Sequence, residues 1–301
     1  LMLTGLLQLF YTSADLIIVG RFAGNDAMGS VGACSSLIHV IINASVGISL
    51  GVGVAVAHDL GSANHDRLGR VFHTALVFSA LLGLAVGLLG ILLARPLLAT
   101  MGTPENLLDG AVGYMISYFA GVPAMMVYNY AASALRSSGD TKRPLLFLLI
   151  SGLVNLVLDL MFVIVFEMGA VGVGIATAIS QYVAMIMILV HMLRIDGPLK
   201  IIISHLKIHG GELARILRLG VPSAVQSALF SFANVIIQSS INSFGDIAVA
   251  ANTAATSVEN LIYLCVSAIG QSVMIFTGQN MGAGKVDRIG KVAKNGVVIN
   301  L

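Results

Sequence analysis

The stretch Gly61-Ser-Ala-Asn-His-Asp-Arg-Leu-Gly-Arg-Val71 recurs 221 residues later as Gly282-Ala-Gly-Lys-Val-Asp-Arg-Ile-Gly-Lys-Val292. Each copy follows a long apolar segment. Without gaps the similarity extends back to Gly24 and Gly245, with identities at 12 of 48 positions. The ordered Gly, Asp-Arg, Gly and Val positions are not expected of two unrelated Ala- and Val-rich segments. They therefore predict an internal repeat.

The composition predicts that most of the chain lies in a membrane. Of the 301 residues, 57% are apolar and only 10% are charged, and the mean hydropathy is +0.95. A soluble domain carries about 25% charged residues, so most of this chain cannot face water. Cys34 and Cys265 both lie in apolar segments, which excludes a disulfide framework. We therefore expect an all-α polytopic membrane protein.

Apolar segments long enough to cross a bilayer follow one another along the chain. A helical span needs about 20 apolar residues to cross a hydrocarbon core of about 30 Å. The predicted spans are 1–20, 27–57, 71–97, 108–135, 144–166, 169–193, 219–243 and 246–279, with a ninth beginning near 291. The chain opens inside the first span and stops inside the ninth, so we expect it to be part of a longer protein.

Basic residues distinguish the two sides of the predicted bundle. The connections after the second, fourth, sixth and eighth spans hold 14 of the 16 Lys and Arg residues, whereas Arg21 and Arg95 lie on the opposite side. Cytoplasmic loops of membrane proteins are enriched in Lys and Arg. The distribution predicts a multi-pass protein of the plasma (inner) membrane whose first span starts in the cytoplasm.

The repeat predicts how the spans are grouped. It pairs the second span with the eighth, and an even separation preserves orientation, as in the parallel repeats of many secondary transporters. A parent of two equal repeats has about 442 residues and about 12 spans. We therefore expect two six-helix lobes, with eight spans and part of a ninth in this chain. The predicted divisions are 1–193 for the N-terminal lobe, 194–218 for a cytoplasmic linker and 219–301 for part of the C-terminal lobe.

Three of the 14 acidic residues fall inside predicted spans: Asp15, Asp159 and Glu259. A carboxylate at the centre of a bilayer helix costs about 2.5 to 3.5 kcal/mol on insertion scales, so each is a candidate functional residue. Glu259 has three interpretations: a second coupling site, a charge that attracts cationic substrates, or a partner for a group in spans outside this chain. Asp15 and Asp159 are the candidates we favour for coupling chemistry.

Polar side chains accompany these two acids at helical spacing. Asn155 and Asp159 are four residues apart, so the amide and the carboxylate lie on one helix face. Tyr11 and Asp15 have the same spacing. Thr177 lies in a small-residue stretch of the next span, which permits close approach of helices. Such oxygen donors suit Na+ or a proton, although interhelical hydrogen bonding is the alternative role for Asn155 and Thr177.

Four segments together resemble a known family, the multidrug and toxic compound extrusion (MATE) antiporters. The resemblance covers the whole chain and rests on the order and spacing of all four. They are Tyr11-Thr-Ser-Ala-Asp-Leu-Ile-Ile-Val-Gly20, Leu135-Arg-Ser-Ser-Gly-Asp-Thr-Lys-Arg-Pro144, Asn155-x3-Asp159 with Thr177, and Gly278-Gln-Asn-Met-Gly282-Ala283-x4-Arg288.

The resemblance implies a 12-helix exporter whose two lobes face each other across a central cavity. Such a protein exports bulky, often cationic organic compounds against an influx of Na+ or H+. The family's N-terminal cation site implies coupling roles for Asp15, Asn155, Asp159 and Thr177. It implies supporting roles for the hydroxyls of Tyr11 and Tyr114. One departure is the seventh span, where some members carry an acid and residues 222–230 of this chain have none.

The resemblance also sets the expected ligands and partners. We expect no cofactor beyond Na+ or H+ as coupling ion, and cationic amphiphilic small molecules as substrates. We expect contact with membrane lipid, no nucleic-acid partner, and a monomer. Binding of the ion at the site of Asp15 and Asp159 is expected to change the side of the membrane to which the cavity opens.

Other function classes remain open alternatives. A flippase of lipid-linked saccharides, or an exporter of another metabolite, has the same repeat plan, but basic residues at the span ends favour cationic cargo. A structural or receptor protein that transports nothing is a further alternative. An intramembrane enzyme is disfavoured because Gly139-Asp140 and Gly245-Asp246 fall at loops, and no zinc, P-loop or Cys-x-x-Cys motif is present. We therefore expect the protein not to be an enzyme.

Overall fold

The computed structural model describes the backbone of residues 2–242 and 246–300. All side chains in these ranges are described outside 231–261, and some within it, including that of Glu259. The described residues form helices joined by short connections. The helices are α1 (Met2–Ile18), α2 (Gly24–Gly61), α3 (His65–Thr100), α4 (Glu105–Ser137), α5 (Lys142–Leu160), α6 (Gly169–Arg194), α7 (Gly210–Asn242), α8 (Asp246–Gly282) and α9 (Asp287–Asn300).

Six helical segments among the described residues are long and apolar enough to cross a membrane. One of them, Met2–Gly61, contains both α1 and α2 and is 60 residues long, about 90 Å at 1.5 Å per residue. A π-helical turn over Val19–Ala23 ends α1, and Gly24 then adopts a φ of 86°, which separates the two helices. The predicted all-α multi-pass fold is confirmed, while the exact number of spans stays a prediction.

The connections after α2, α4, α6 and α8 lie at one end of the bundle, which we call the basic face. They comprise residues 62–64, 138–141, 195–209 and 283–286. In the first, the Asn64 side chain caps α3 by accepting a hydrogen bond from the Arg67 backbone N–H at 3.0 Å. In the second, Gly139 turns the chain with a φ of 95°. Three of these charged connections are therefore tight turns at the ends of long helices, and the one over 195–209 is longer.

The connection between α6 and α7 is shorter than predicted. We expected a linker over 194–218, but α7 already begins at Gly210, and the connection is limited to 195–209 with one 3-10 turn at Ile203–His205. The charged residues 212–218 form the first turns of α7, where Glu212 is buried. Glu212 forms an ion pair with α3 and Arg215 forms one with α2, whereas Arg218 is exposed, so the charged segment can stay helical. The division into two lobes stays a prediction.

Two apolar clusters stabilise the bundle formed by α1 to α6. The cluster nearer the basic face includes Phe72 and Tyr130 and also receives Ile216 from α7. The other cluster includes Met115 and Phe119 of α4. Helix α4 is the central element, because it packs against α2, α3 and α6. Large apolar side chains on the outer surfaces of α3 and α5 are exposed, as expected for contact with lipid.

Helix α2 also packs closely against α7 and α8. A Cβ atom at Gly51 would lie 2.6 Å from the backbone N of Gly220. At the basic ends of α2 and α8, a Cβ at Gly61 would overlap the carbonyl oxygen of Gln279, and one at Gly282 would overlap that of His58. The 221-residue offset relates Gly61 to Gly282 and His58 to Gln279, so each contact is the equivalent of the other in the repeat. A two-fold relation between α2 and α8 predicts this reciprocity, and the repeat remains our interpretation of it.

Candidate functional site: a buried carboxylate pair

Helix α5 buries one face, and that face carries the predicted polar pair. Its buried residues are Pro144, Phe147, Ser151, Gly152, Asn155 and Asp159. The side chain of Asp159 is fully buried, and neither of its carboxylate oxygens has a hydrogen-bond partner among the described residues. The Nδ2 atom of Asn155, one helical turn away, is also buried and unpartnered. This face therefore holds polar groups that the described protein atoms leave unsatisfied.

Helix α1 brings Asp15 to this face. The Tyr11 ring packs on Gly152, where even a Cβ atom would overlap it, and the Tyr11 hydroxyl donates to the Leu149 carbonyl oxygen at 3.2 Å. One turn beyond Tyr11, the carboxyl groups of Asp15 and Asp159 lie within hydrogen-bonding reach of each other when one of them is protonated. The Oδ1 atom of Asp15 is buried and unpartnered. The structure thus brings together the two acids that the sequence singled out.

Helices α4 and α6 contribute further polar groups. Gly174 allows α6 to approach α4 so closely that a Cβ atom there would lie 2.9 Å from the Tyr114 carbonyl oxygen. On α6, the Oγ1 atom of Thr177 and the Oε1 atom of Gln181 are both buried without a hydrogen-bond partner. On α4, the rings of Tyr114 and Tyr118 are 6.2 Å apart between centroids. The Gln181 side chain reaches α4 near Tyr118, since a Cβ atom at Gly121 would overlap its Oε1 atom.

The predicted residues differ in where the structure places them. Tyr114 is buried on α4 within electrostatic range of Asp15 and Asp159. The Tyr11 hydroxyl is occupied by the backbone of α5, so Tyr11 positions α1 and does not present a free ligand. Glu259 is exposed on α8, and it forms no ion pair with another residue in the described ranges.

Two polar residues near this site were missed in the sequence analysis. Gln181 follows Thr177 by four residues in an apolar helix, the same spacing that singled out Asn155 and Asp159. The spacing was therefore a usable signal. Tyr118 follows Tyr114 by four residues on α4 and is also buried. Its contact with Gln181 joins two helices, and the sequence contains no signal for such a contact.

The chemistry of this group suits a small hard cation or a proton. A buried polar atom without a partner costs about 1 to 3 kcal/mol, so several in one region call for an explanation. Carboxylate, amide and hydroxyl oxygens are ligands for hard cations. Two carboxylates held close together in a buried environment repel each other, and a shared proton or a bound Na+ removes that repulsion. The donor set therefore fits the expected coupling ions.

Comparison with known proteins gives a family and close relatives. The MatE family model matches residues 1–161 and 222–301. The probable multidrug resistance protein YoeA of Bacillus subtilis is 30% identical over all of this chain and 66% of its own length. The FAD transporter of Shewanella oneidensis MR-1 is 26% identical over 97% of this chain and 64% of its own. The chain thus spans slightly less than two thirds of these relatives.

A solved structure has the same fold. A MOP superfamily transporter from Pyrococcus furiosus superimposes with a TM-score of 0.91 over 99% of this chain and 66% of its own, at 24% sequence identity. That identity supports the fold alone. The family match covers α1 to α5, most of α7, and α8 and α9, and it includes the segments on which the resemblance rested except Thr177 of α6. The chain therefore belongs to the MatE family, whose members are membrane transporters and not enzymes.

Proposed function

We propose that the whole protein exports small organic compounds in exchange for Na+ or H+. The observation that carries this proposal is the pair of Asp15 and Asp159 between α1 and α5, in which Oδ1 of Asp15 and both carboxylate oxygens of Asp159 are buried without a hydrogen-bond partner among the described residues. Family membership and the multidrug resistance relative support export as the overall activity. Site residues, coupling and cargo are the parts that experiments must test.

Coupling follows from the geometry of the pair. Without a cation, the two carboxylates repel each other, and α1 is free to move away from α5. A proton or Na+ at the pair, with Asn155 and Thr177 as further donors, holds α1 against α5. If the drug-binding cavity has different shapes in these two arrangements, ion and drug compete through linked equilibria, which gives antiport by alternating access. One chain suffices because a single lobe supplies the site, so we propose a monomer.

The orientation is part of the same proposal. The basic face and the helix ends that adjoin it hold 14 of the 16 Lys and Arg residues, which supports a cytoplasmic location of that face in a plasma membrane. The start of α1 is then cytoplasmic, and Asp15 lies nearer the outer end of its helix. An ion that reaches Asp15 from outside the cell can therefore drive the export of cargo from the cytoplasm.

Cationic amphiphilic compounds are the proposed cargo. Buried acids, and basic residues confined largely to helix ends, favour positive over negative cargo. A second candidate is export of an anionic metabolite, which is favoured by one observation, the FAD transporter among the relatives. The two candidates are distinguished by whether a cationic dye or a flavin nucleotide is transported.

The test is transport by the full-length parent protein in proteoliposomes. We expect efflux of a cationic dye under an imposed Na+ or pH gradient. We expect efflux in the Asp15→Asn and Asp159→Asn variants to fall to the rate seen without a gradient, because the site that links the ion to the cargo is lost. Asp109→Asn is the matched control, because Asp109 is an exposed acid at the same end of the bundle, where it pairs with Arg95 and not with the site. Unchanged dye efflux in both site variants would overturn the proposed site.

A further inference from the structure

A basic pocket at the basic face is not used by the proposed transport site. It has a volume of about 460 Å³ and lies between the first turns of α3 and the connection from α6 to α7. From α3 it is lined at positions 65, 66, 69, 70 and 73, which form one helical face. At Gly69 this wall borders open space, because a Cβ atom there would meet no other atom within 4 Å.

The charges around the pocket favour an anion. Its lining includes three basic side chains, Arg70, Lys200 and Lys207, and a single acid, Asp66. Lys200 is partly neutralised by Asp196, which lies 3.1 Å from it. The side chains of Arg70 and Lys207 form no ion pair within the described part of the chain. The N-terminus of α3 adds positive potential at the same place.

Hydrogen bonds hold this pocket in a defined shape. The His73 ring is buried, with Nδ1 2.7 Å from the Gly69 carbonyl oxygen and Nε2 accepting from the Ile202 backbone N–H at 3.0 Å. Because both ring nitrogens are engaged, His73 anchors the connection to α3 and is not a free donor. The Thr74 hydroxyl accepts a second anchoring bond from the His209 N–H at 3.2 Å. Arg70 and Lys207 are therefore presented by a fixed frame.

The connection that closes the pocket also exposes large apolar side chains. Ile203 is 75% exposed, and Ile202, Leu206 and Ile208 are about 40% exposed. These residues directly adjoin Lys207 and the other basic groups of the pocket. Isoleucine and leucine side chains beside a basic cluster, at the end of a membrane-spanning bundle, match the boundary between lipid headgroups and acyl chains. A soluble anion would need only the basic groups.

We propose that the basic pocket binds the phosphate group of an anionic phospholipid from the leaflet at the basic face. Arg70 and Lys207 are the ligands for the phosphate, and His205 supplies a further polar contact at the rim. Ile203 and Leu206 contact the acyl chains of the same lipid layer. The proposal depends on membrane insertion, and it does not depend on which ion or cargo the protein transports.

Native mass spectrometry of the purified full-length protein can test this proposal. The lipids added are phosphatidylglycerol and, for comparison, phosphatidylcholine. We expect selective phosphatidylglycerol adducts, and about 30-fold weaker binding in the Arg70→Gln/Lys207→Gln variant, since each basic residue near a lipid surface contributes about fivefold. The control is Lys285→Gln/Lys291→Gln, which removes two exposed basic residues of the same face outside the pocket. We expect this control to bind as the parent does.

The possible outcomes distinguish lipid phosphate from soluble phosphate, and a loss specific to the pocket from a general folding defect. Binding of inorganic phosphate or glycerol phosphate as tightly as phosphatidylglycerol would overturn the lipid assignment. Equal losses in the pocket variant and in the control would overturn the pocket. The charge-retaining Arg70→Lys/Lys207→Arg variant is expected to recover phosphatidylglycerol binding to within about fivefold, because positive charge near the lipid surface provides most of the attraction. If it does not, charge in this pocket is not the determinant and the proposal is wrong.

Discussion

The Arg215 guanidinium joins α7 to α2 through Asp59, with Nη1 2.8 Å from Oδ1 and 2.9 Å from Oδ2 of the carboxylate. Asp59 is 1% exposed, so the pair is largely removed from water. Glu212 extends the contact, because its carboxylate accepts from Arg67 Nε at 3.0 Å and lies 3.8 Å from Arg215. This set of ion pairs ties α2, α3 and α7 together at the basic face.

Removing the carboxylate of Asp59 is expected to loosen α2 from α7. In the Asp59→Asn variant, Arg215 keeps its charge but loses its buried partner, which costs about 3 to 5 kcal/mol for a fully buried pair and less here, where Arg215 is partly exposed. We expect faster maleimide labelling of a cysteine introduced at Ala224 of α7, which packs against Gly47 of α2. The labelling is measured in a Cys265→Ser background, which removes the less buried native thiol.

The control for that experiment is a solvent-exposed ion pair of the same protein. Asp196 and Lys200 lie 3.1 Å apart, but the Asp196 side chain is 98% exposed. Exposed pairs contribute about 0 to 1 kcal/mol, so Asp196→Asn should leave the labelling rate unchanged. If Asp59→Asn labels no faster than Asp196→Asn, the buried pair does not hold the two helices together.

Neutralising Asp159 is expected to remove cation-dependent stability. If Na+ binds the folded protein at the carboxylate pair, a concentration of about 100 times Kd stabilises it by about 2.7 kcal/mol. Thermal unfolding of the parent should then shift upward in NaCl relative to choline chloride, and the shift should disappear in Asp159→Asn. Asp109→Asn, with its exposed carboxyl group, should keep the shift. An equal Na+ response in Asp159→Asn and the parent would contradict a site at this pair.

Thr177 offers a sharper test, because valine has nearly the same shape as threonine. The Thr177 hydroxyl is buried and has no hydrogen-bond partner in the described protein. We expect Thr177→Val to increase stability without the ion by about 1 kcal/mol, since an unsatisfied buried group is removed. The Na+-dependent shift should fall at the same time. The measurement is thermal unfolding with and without NaCl.

The comparison for Thr177 lies on the same helix. The Ser180 hydroxyl donates to the Thr177 carbonyl oxygen at 2.8 Å and is therefore satisfied. Ser180→Ala should reduce stability slightly and leave the Na+ response intact. A loss of stability in Thr177→Val even without the ion would mean that this hydroxyl has a protein partner and only a structural role.

The helices and the acidic pair could be predicted because both have local signals. Apolar length defines the spans, and the free-energy cost of a buried carboxylate singles out Asp15 and Asp159 without any knowledge of contacts. Asp59 had no such signal. It lies at the end of α2, where an acid normally faces water, and its partner Arg215 is 156 residues away. The same holds for the start of α7, where α3 neutralises Glu212 and α2 neutralises Arg215.

The reciprocal contact of α2 with α8 tests the internal repeat. A Cβ at Gly61 overlaps the Gln279 backbone, and one at Gly282 overlaps the His58 backbone, so neither neighbour can move as a flexible side chain would. We expect Gly61→Ala and Gly282→Ala each to destabilise the protein by about 1 to 3 kcal/mol, and by similar amounts. Gly290→Ala is the control, because its Cβ meets nothing within 4 Å, and it should stabilise α9 by about 0.5 to 1 kcal/mol. Thermal unfolding measures all three. If only one of Gly61→Ala and Gly282→Ala caused a large loss of stability, the two contacts would not be equivalent. That result would argue against the two-fold relation.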